Sequence, residues 1–369
     1  MYPFYLGIDL HLKRSYLVLM DAEGEVIDKR RLKNTEMETY ISRNVPKETY
    51  AVMEATRNWP FFYNLLAKHV DRVELAHAKG VRMIAAAAVK TDQIDASVLA
   101  HLARLNFLPI AYAAPKEIRD LRQHLRYREW LIDERRRAKN RIHAVLAGYN
   151  LASPVTDLFG RAGREWLQEV AEKELRPVSR RVVLETLTMI DQLDDQIKEL
   201  AKDIPLPEDL KPKAEILMSM PGIGKLLSAV ILAEIGDISR FNSPKALCNW
   251  AGLTPRVHKS DTVVRHGRIS KQGSRYLQTA MVCAAMTACR ISPRWYGVYE
   301  HLVRKIGRRA AKVAVGRRLL TVIYYMLKRN QPYEQDYEQR RAVEQGAWPN
   351  CWSSKTDLVN EAPGINRMV

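Results

Sequence analysis

The sequence predicts an α/β domain at the N-terminus followed by a mainly helical remainder. Short apolar runs separated by hairpin and helix signals fill roughly the first 112 residues. From Pro115 onward, long stretches of helical period run with few breakers. A third observation bears on what such a fold serves. The 59 Lys and Arg against 42 Asp and Glu give a net charge of +17, which points to a polyanionic partner, nucleic acid before membrane. With 369 residues, 47% of them hydrophobic, the chain can bury more than one core. The pattern divides it into 1–112, a helical region 113–204, a further helical domain 205–330 and a polar tail 331–369.

Residues 5–10, Tyr-Leu-Gly-Ile-Asp-Leu, read as a short apolar strand holding one acid, Asp9. Strands at 15–20 and 25–32 follow, joined by Asp21-Ala22-Glu23-Gly24, which is hairpin chemistry. A helix near 35–43 leads to a fourth strand, 50–55, again apolar and again carrying one acid, Glu54. Helix 59–69 precedes a fifth strand at 73–76. Three antiparallel strands followed by α/β alternation predict a mixed sheet with helices on its faces.

The stretch Lys90-Thr91-Asp92-Gln93-Ile94-Asp95-Ala96 opens the next helix. Residues three apart share a helix face, so Asp92 and Asp95 point the same way from a first turn whose dipole tolerates negative charge. The plainer reading is one N-cap acid and one solvated first-turn acid. Asp9 and Glu54 shift the balance, because an acid inside a buried strand is costly unless it is paired or binds metal. If their strands are neighbours, Asp9, Glu54, Asp92 and Asp95 converge at one edge of the sheet. Hard oxygen ligands of this kind suit Mg²⁺ or Mn²⁺, and four of them are the equipment of phosphodiester chemistry.

From 116 to 149 the chain lacks Pro and has no Gly before Gly148, so a long helix is expected, with Ile118, Leu121, Leu125, Ile132, Ile142 and Leu146 as its apolar seam. A second helix at about 178–202, with Val182, Leu184, Leu187, Ile190, Leu193 and Ile197, completes an antiparallel pair: a dimer arm or a spacer. The first of these helices is basic, and Arg126, Arg128, Arg136, Arg137 and Lys139 are its candidate phosphate contacts, against the alternative of a merely solvated face. Pro205-Leu206-Pro207 and Lys211-Pro212 mark a linker.

Beyond the linker, Met220-Pro221-Gly222-Ile223-Gly224-Lys225 opens a helix over 226–235. A Gly-rich turn before a helix offers backbone N–H groups to a phosphate, so Gly222, Gly224 and Lys225 are candidate backbone contacts. The spacing of a Walker loop is absent. The segment from Gly252-Leu253-Thr254-Pro255 to Arg275 is basic, Gly-punctuated and rich in hydroxyls. It reads as a nucleic-acid loop, with Arg256, Lys259, Arg265, Arg268, Lys271 and Arg275 as candidate contacts. Helices at 276–290, 295–305 and about 310–328 follow, and the tail from Gln331 is expected to be disordered. Cys248, Cys283, Cys289 and Cys351 lack the spacing of a zinc site or a disulfide framework. No signal-peptide pattern and no run of 18 apolar residues is present, which places the protein in the cytoplasm and off the membrane.

Two separated sets of motifs resemble one family, the DEDD transposases of the insertion-sequence-110 group, bridge-RNA-guided DNA recombinases. The first set is Gly7-Ile8-Asp9, Met53-Glu54-Ala55-Thr56 and Lys90 to Ala96. The second is Pro221-Gly222-Ile223-Gly224, Phe241, Gly252-Leu253-Thr254-Pro255 and Gly267-Arg268-Ile269-Ser270-Lys271-Gln272-Gly273. The resemblance spans about residues 4–330. It implies a RuvC-like, RNase H-type mixed sheet, a coiled-coil insertion and a C-terminal transposase domain, with Asp9, Glu54, Asp92 and Asp95 as the metal tetrad. It also implies a nucleophilic serine after the Gly-Leu-Thr-Pro motif, commonly in a Ser-Ser-Gly run. The matching residues are Lys259-Ser260-Asp261, so Ser260 is the candidate; the first Ser is Lys and the Gly is Asp, which keeps Ser270 and Ser274 as alternatives. The implied partners are target and donor DNA, a guide RNA that pairs with both, and further copies of the chain in a dimer or tetramer. A catalytic site completed by another protomer's C-terminal domain fits that assembly. Two other classes fit the residues less fully: a metal-dependent junction nuclease in which water attacks, and a non-catalytic nucleic-acid scaffold.

Overall fold

The computed structural model describes residues 1–84, 91–260, 263–269 and 273–333, and within these not the side chains of 257–260, 263–266 and 268. The tail from 334 on, and with it most of the stretch expected to be disordered, lies outside the described residues, as do Lys90, Ser270 and Lys271. The chain forms two compact units, Met1–Pro115 and the part from Lys116 onward.

The first unit is built on a six-stranded sheet. In chain order its elements are β1 (Phe4–Asp9), β2 (Arg14–Asp21), β3 (Val26–Lys33), α1 (Met37–Asn44), β4 (Thr49–Glu54), α2 (Trp59–Leu66), β5 (Arg72–Ala76), α3 (Ala78–Ile84), α4 (Asp92–Arg104) and β6 (Ile110–Ala111). The strand order is β3-β2-β1-β4-β5-β6. β1 pairs antiparallel with β2 and parallel with β4, and β4 pairs parallel with β5, so the sheet is mixed as expected. Strand alternation divides the core in two. Leu6, Ile8, Leu17, Leu19 and Met53 pack on one face with Met37, Ile41, Phe62 and Leu66 of α1 and α2. Tyr5, Val18, Met20, Tyr50 and Val52 pack on the other with Ala96, Leu99, Ala100 and Ala103 of α4.

Gly7 sets how closely α4 can approach. A Cβ there would lie 2.0 Å from the Ala96 carbonyl oxygen and 2.8 Å from the Ala100 nitrogen. Only the bare backbone lets α4 rest on β1, and that contact brings the first turn of α4 over the end of the strand where Asp9 stands. The short helix α3 and the edge strand β6 are not visible as patterns in the sequence; seven and two residues give too little periodicity to read.

The second unit holds α5 (Lys116–Gly148), α6 (Arg161–Lys173), α7 (Pro177–Lys202), α8 (Lys211–Met218), α9 (Lys225–Ile235), α10 (Pro244–Trp250), β7 (Pro255–Ser260), β8 (Val263–Ile269), α11 (Arg275–Ile291), α12 (Pro293–Ile306) and α13 (Arg308–Arg329). α5 and α7 form the expected antiparallel pair, with Leu131 against Leu193 and Ile197, and Ala138, Ile142 and Leu146 clustered with Val183, Leu187 and Ile190. The seam differs from expectation at two points. Leu131 and Val183 are fully buried, while Ile132 is only partly so and Val182 is half-exposed. In each case two adjacent apolar residues competed for one position, and helix rotation chose the neighbour. α6 adds Leu167, Val170 and Ala171 to the same cluster. It was not foreseen, since a helix of this length gains its stability from such packing rather than from propensity.

Candidate functional site

Asp9 is the last residue of β1 and nearly buried. The register that pairs Ile8 with Met53 puts Asp9 beside Glu54 at the ends of parallel neighbours β1 and β4. Thr91 caps α4, its hydroxyl accepting from the Ile94 N–H at 3.3 Å. Both Asp92 and Asp95 therefore lie inside the first turn and neither is the cap residue. Asp9, Asp92 and one residue the sequence argument overlooked, His11, present ligand atoms within 4.8 Å of one another. His11 Nε2 is 3.1 Å from Asp9 Oδ2 and 3.4 Å from Asp92 Oδ1.

The electrostatics agree with this convergence. Burial pushes the Asp9 carboxyl above its ordinary value; His11 opposes the shift, and the charges of Asp92, Asp95 and Glu54 add to it. The three other expected acids thus all bear on Asp9, which stands at the centre of the cluster. The position of His11 is fixed through its carbonyl, which accepts from Asn34 Nδ2 at 2.8 Å and Asn58 Nδ2 at 3.0 Å. Asn34 is held by the Ser15 hydroxyl and Asn58 by that of Thr56, so the loops after β1 and β4 are tied at the site. The available signal was spacing: Asp9 and His11 stand two apart, the period at which extended residues share a face. Carboxylates outnumber the single imidazole, so the donor set fits a hard divalent cation such as Mg²⁺ or Mn²⁺.

In the second unit the basic run after Gly-Leu-Thr-Pro is a two-stranded hairpin, β7 with β8, rather than the loop expected. Ser260 ends β7 and pairs with Val263; Lys259 and Arg265 lie in the paired strands, and Arg268 in β8. Arg256 and Arg275 are exposed, at the start of the hairpin and at the start of α11. Gly224 and Lys225 are exposed at the mouth of α9. Gly222 has φ +89°, and a Cβ there would meet the Ala284 carbonyl at 2.5 Å, so its glycine is required by the packing of the turn on α11.

The cations of α5 are largely engaged within the chain. Arg136 pairs with Asp133 at 2.9 Å, Arg137 with Glu134 at 2.6 Å, and Lys139 lies over the Phe159 ring at 4.7 Å. Burial, reinforced by the Arg135 charge, pulls the Arg128 guanidinium below its usual value. Arg126 is bound to Glu234 of α9, a buried carboxylate that also accepts from the Ser274 hydroxyl at 2.8 Å. Ser274 in turn caps α11, accepting from the Leu277 N–H. Arg126→Ala would leave Glu234 with one side-chain donor in place of two. We expect it to cost about 2 kcal/mol, softened by the partial exposure of Arg126, and to leave the salt dependence of nucleic-acid binding unchanged. Thermal melts and salt titrations of the variant check both parts; a flattened salt slope with an unchanged melt would return Arg126 to phosphate binding.

No described helix is long and apolar enough to cross a membrane. Comparison with known proteins gives two family matches in chain order. Residues 6–151 match a DEDD-type transposase model, and residues 214–300 match the model described as Transposase IS116/IS110/IS902 family. The pilin gene-inverting protein of Moraxella bovis is 32% identical over 151 residues, which is 39% of this chain and 45% of that protein, so the match spans less than half of that relative's length. The transposase for insertion sequence element IS1111A of Coxiella burnetii is 24% identical across 89% of this chain and 90% of its own. A probable family 20 transposase of Pseudomonas aeruginosa is 24% identical across 89% and 98%. With the acids of the first motif set gathered at one sheet edge and both family models matched in order, the chain belongs to the IS110 group of DEDD transposases.

Proposed function

We propose that the protein is a DNA transposase, a recombinase that exchanges DNA strands through a phosphoserine intermediate at Ser260, with Asp9, Glu54, Asp92 and Asp95 holding Mg²⁺ or Mn²⁺. The observation that carries this reading is the convergence of Asp9, His11 and Asp92 under the repulsion of Glu54 and Asp95. Such a set of carboxylates is costly unless a cation sits among them. When bound, the cation would supply positive charge able to offset that of a phosphate and to lower the pKa of an attacking hydroxyl.

The residues of the chain divide the remaining work. The Ser260 Oγ attacks a DNA phosphorus; the Oγ–P bond forms, the P–O bond to the departing strand breaks, and that oxygen leaves as a hydroxyl after taking a proton. Arg256, Lys259 and Arg265 offset the negative charge that grows on the phosphate oxygens. Attack by the hydroxyl of another strand reverses the step and frees the serine, so bond energy is kept without ATP. Gly224, Lys225, Arg268, Lys271 and Arg275 hold backbone phosphates nearby. The family resemblance adds a guide RNA pairing with target and donor DNA, and a working unit of two or four copies; the charge of +17 suits both polyanions.

The test is to purify the protein from cells carrying its flanking DNA, sequence the RNA that accompanies it, and add target and donor DNA with Mg²⁺ or with chelator. Strand exchange that requires both the divalent cation and the RNA is the expected result. Exchange in chelator would overturn the metal reading, and full exchange after removal of RNA would overturn the guide. Breakage that only releases free ends would favour a metal-dependent nuclease.

A further inference from the structure

The outermost strand of the first sheet carries charge out of proportion to a structural need. β3 is the edge next to β2, and Lys29, Arg30, Arg31 and Lys33 are all exposed along it. The register sorts them. Arg31 lies opposite Tyr16, and Tyr16 lies opposite Asp9; Lys29 lies opposite Val18 and Lys33 opposite Arg14. Directly opposed residues share a face of the sheet. Tyr16 and Val18 pack in the cluster that includes α4, so Lys29, Arg31, Lys33 and Arg14 stand on the face that carries Asp9. Arg30 lies opposite Leu17, whose cluster is on the other face, and it is paired with Asp28 at 3.1 Å.

We propose that this face of β3 and β2 is a phosphate track that leads a single DNA strand onto the acidic cluster. Arg31, Tyr16, Asp9 and Glu54 form one row across four strands, with the cation two strands, about 10 Å, from the acid. Arg31 and Lys29 hold phosphates on one side of the reacting bond, and the half-buried Tyr16 fills the interval. Arg14 and Lys33 extend the track along the strands.

Two observations point to a ligand rather than to solubility. Arg14 and Lys33 are like charges placed directly opposite each other, an arrangement that destabilises a strand pair; Glu36 meets Lys33 at 3.8 Å, which leaves Arg14 as the cation of the pair without an anion. Among the described residues, Arg14, Lys29 and Arg31 have no ion-pair partner, while Arg30 on the other face does. Charge on an edge strand also deters pairing with other chains. That purpose is served from either face, and does not account for the unpaired cations lying on the side of the acids.

The inference rests on the reading of the Asp9 cluster as the site of phosphodiester chemistry, and the experiment separates the two. The full-length protein, wild type and the variants Lys29→Gln/Arg31→Gln, Arg30→Gln and Asp9→Asn, is titrated with a labelled 30-nucleotide single-stranded DNA and, separately, with a labelled RNA hairpin at several salt concentrations. Each, purified with its accompanying RNA, is also assayed for Mg²⁺-dependent cleavage of target and donor DNA. Loss of two phosphate contacts should lower the slope of log K against log salt by about 1.4 and weaken cleavage, with Arg30→Gln close to wild type. An unchanged slope and unchanged cleavage in Lys29→Gln/Arg31→Gln, with cleavage still abolished by Asp9→Asn, would overturn the track alone. Equal effects of Arg30→Gln and the double variant would overturn its direction across the sheet. A slope change confined to an RNA hairpin would overturn the assignment to DNA. Cleavage that survives Asp9→Asn would instead overturn the reading of the acidic cluster.

Discussion

Asp9→Asn should abolish strand exchange, by on the order of 10⁴-fold or more, and at the same time raise the melting temperature of the protein in chelator. The two effects share a cause. Burial, together with the charges of Asp92, Asp95 and Glu54, raises the Asp9 pKa against the pull of His11. A carboxyl whose folded pKa lies above its unfolded value destabilises the fold progressively as pH rises from the unfolded pKa, near 3.8, through the folded one. The deficit persists at neutral pH unless a cation offsets it. Asn keeps the shape and removes the charge, so each kcal/mol relieved should lift the melting point by a few degrees, about 4 °C in a unit of this size. Three arms check this: melts in chelator at pH 7, melts a full pH unit or more below the unfolded pKa of 3.8, where the position is neutral in folded and unfolded chains alike and the gap should close, and melts in Mg²⁺, which should raise the wild type more than the variant. Full exchange by Asp9→Asn at saturating Mg²⁺, or a lower melting point in chelator, would remove Asp9 from the centre of the site.

The acids were legible in the sequence because each violates a local rule. Asp9 and Glu54 interrupt apolar strands, and Asp92 and Asp95 repeat a charge on one helix face. His11 broke no rule: a polar residue just past a strand end looks like any loop residue, and its role comes from the approach of α4. That approach depends on Gly7, whose need is set by the Ala96 and Ala100 backbone some 90 residues away in sequence. The α5 cations mislead for the opposite reason. Solvated charge and phosphate contact were the two readings open for Arg126, yet its partner, Glu234, is 108 residues distant and buried. The β7–β8 hairpin was hidden by composition, since basic residues and glycine outweigh Val257, Val263, Val264 and Ile269 in any reading by propensity. Long helices and the apolar strands buried on both faces were legible; contacts between distant segments were not.

Ser260→Ala is the second change expected to end the reaction, and it separates the proposed chemistry from simple hydrolysis. Stopped wild-type reactions should contain protein joined to DNA through this residue. The variant should lose the adduct and the exchange while binding DNA as before, because only a hydroxyl is removed. Ser260→Cys should retain a trace of adduct, since a thiolate is also a nucleophile. Ser274 makes a useful contrast. Its hydroxyl already donates to Glu234 and accepts from the Leu277 N–H, so Ser274→Ala should cost about 1 kcal/mol through the lost helix cap and leave the adduct in place. Peptide sequencing of the adduct decides among Ser260, Ser270 and Ser274. A map to either alternative preserves the covalent mechanism and moves the nucleophile. Cleavage that persists in all three alanine variants, with free ends and no adduct, would mean that water attacks at the acidic cluster, and the covalent mechanism would fall while the metal site stood.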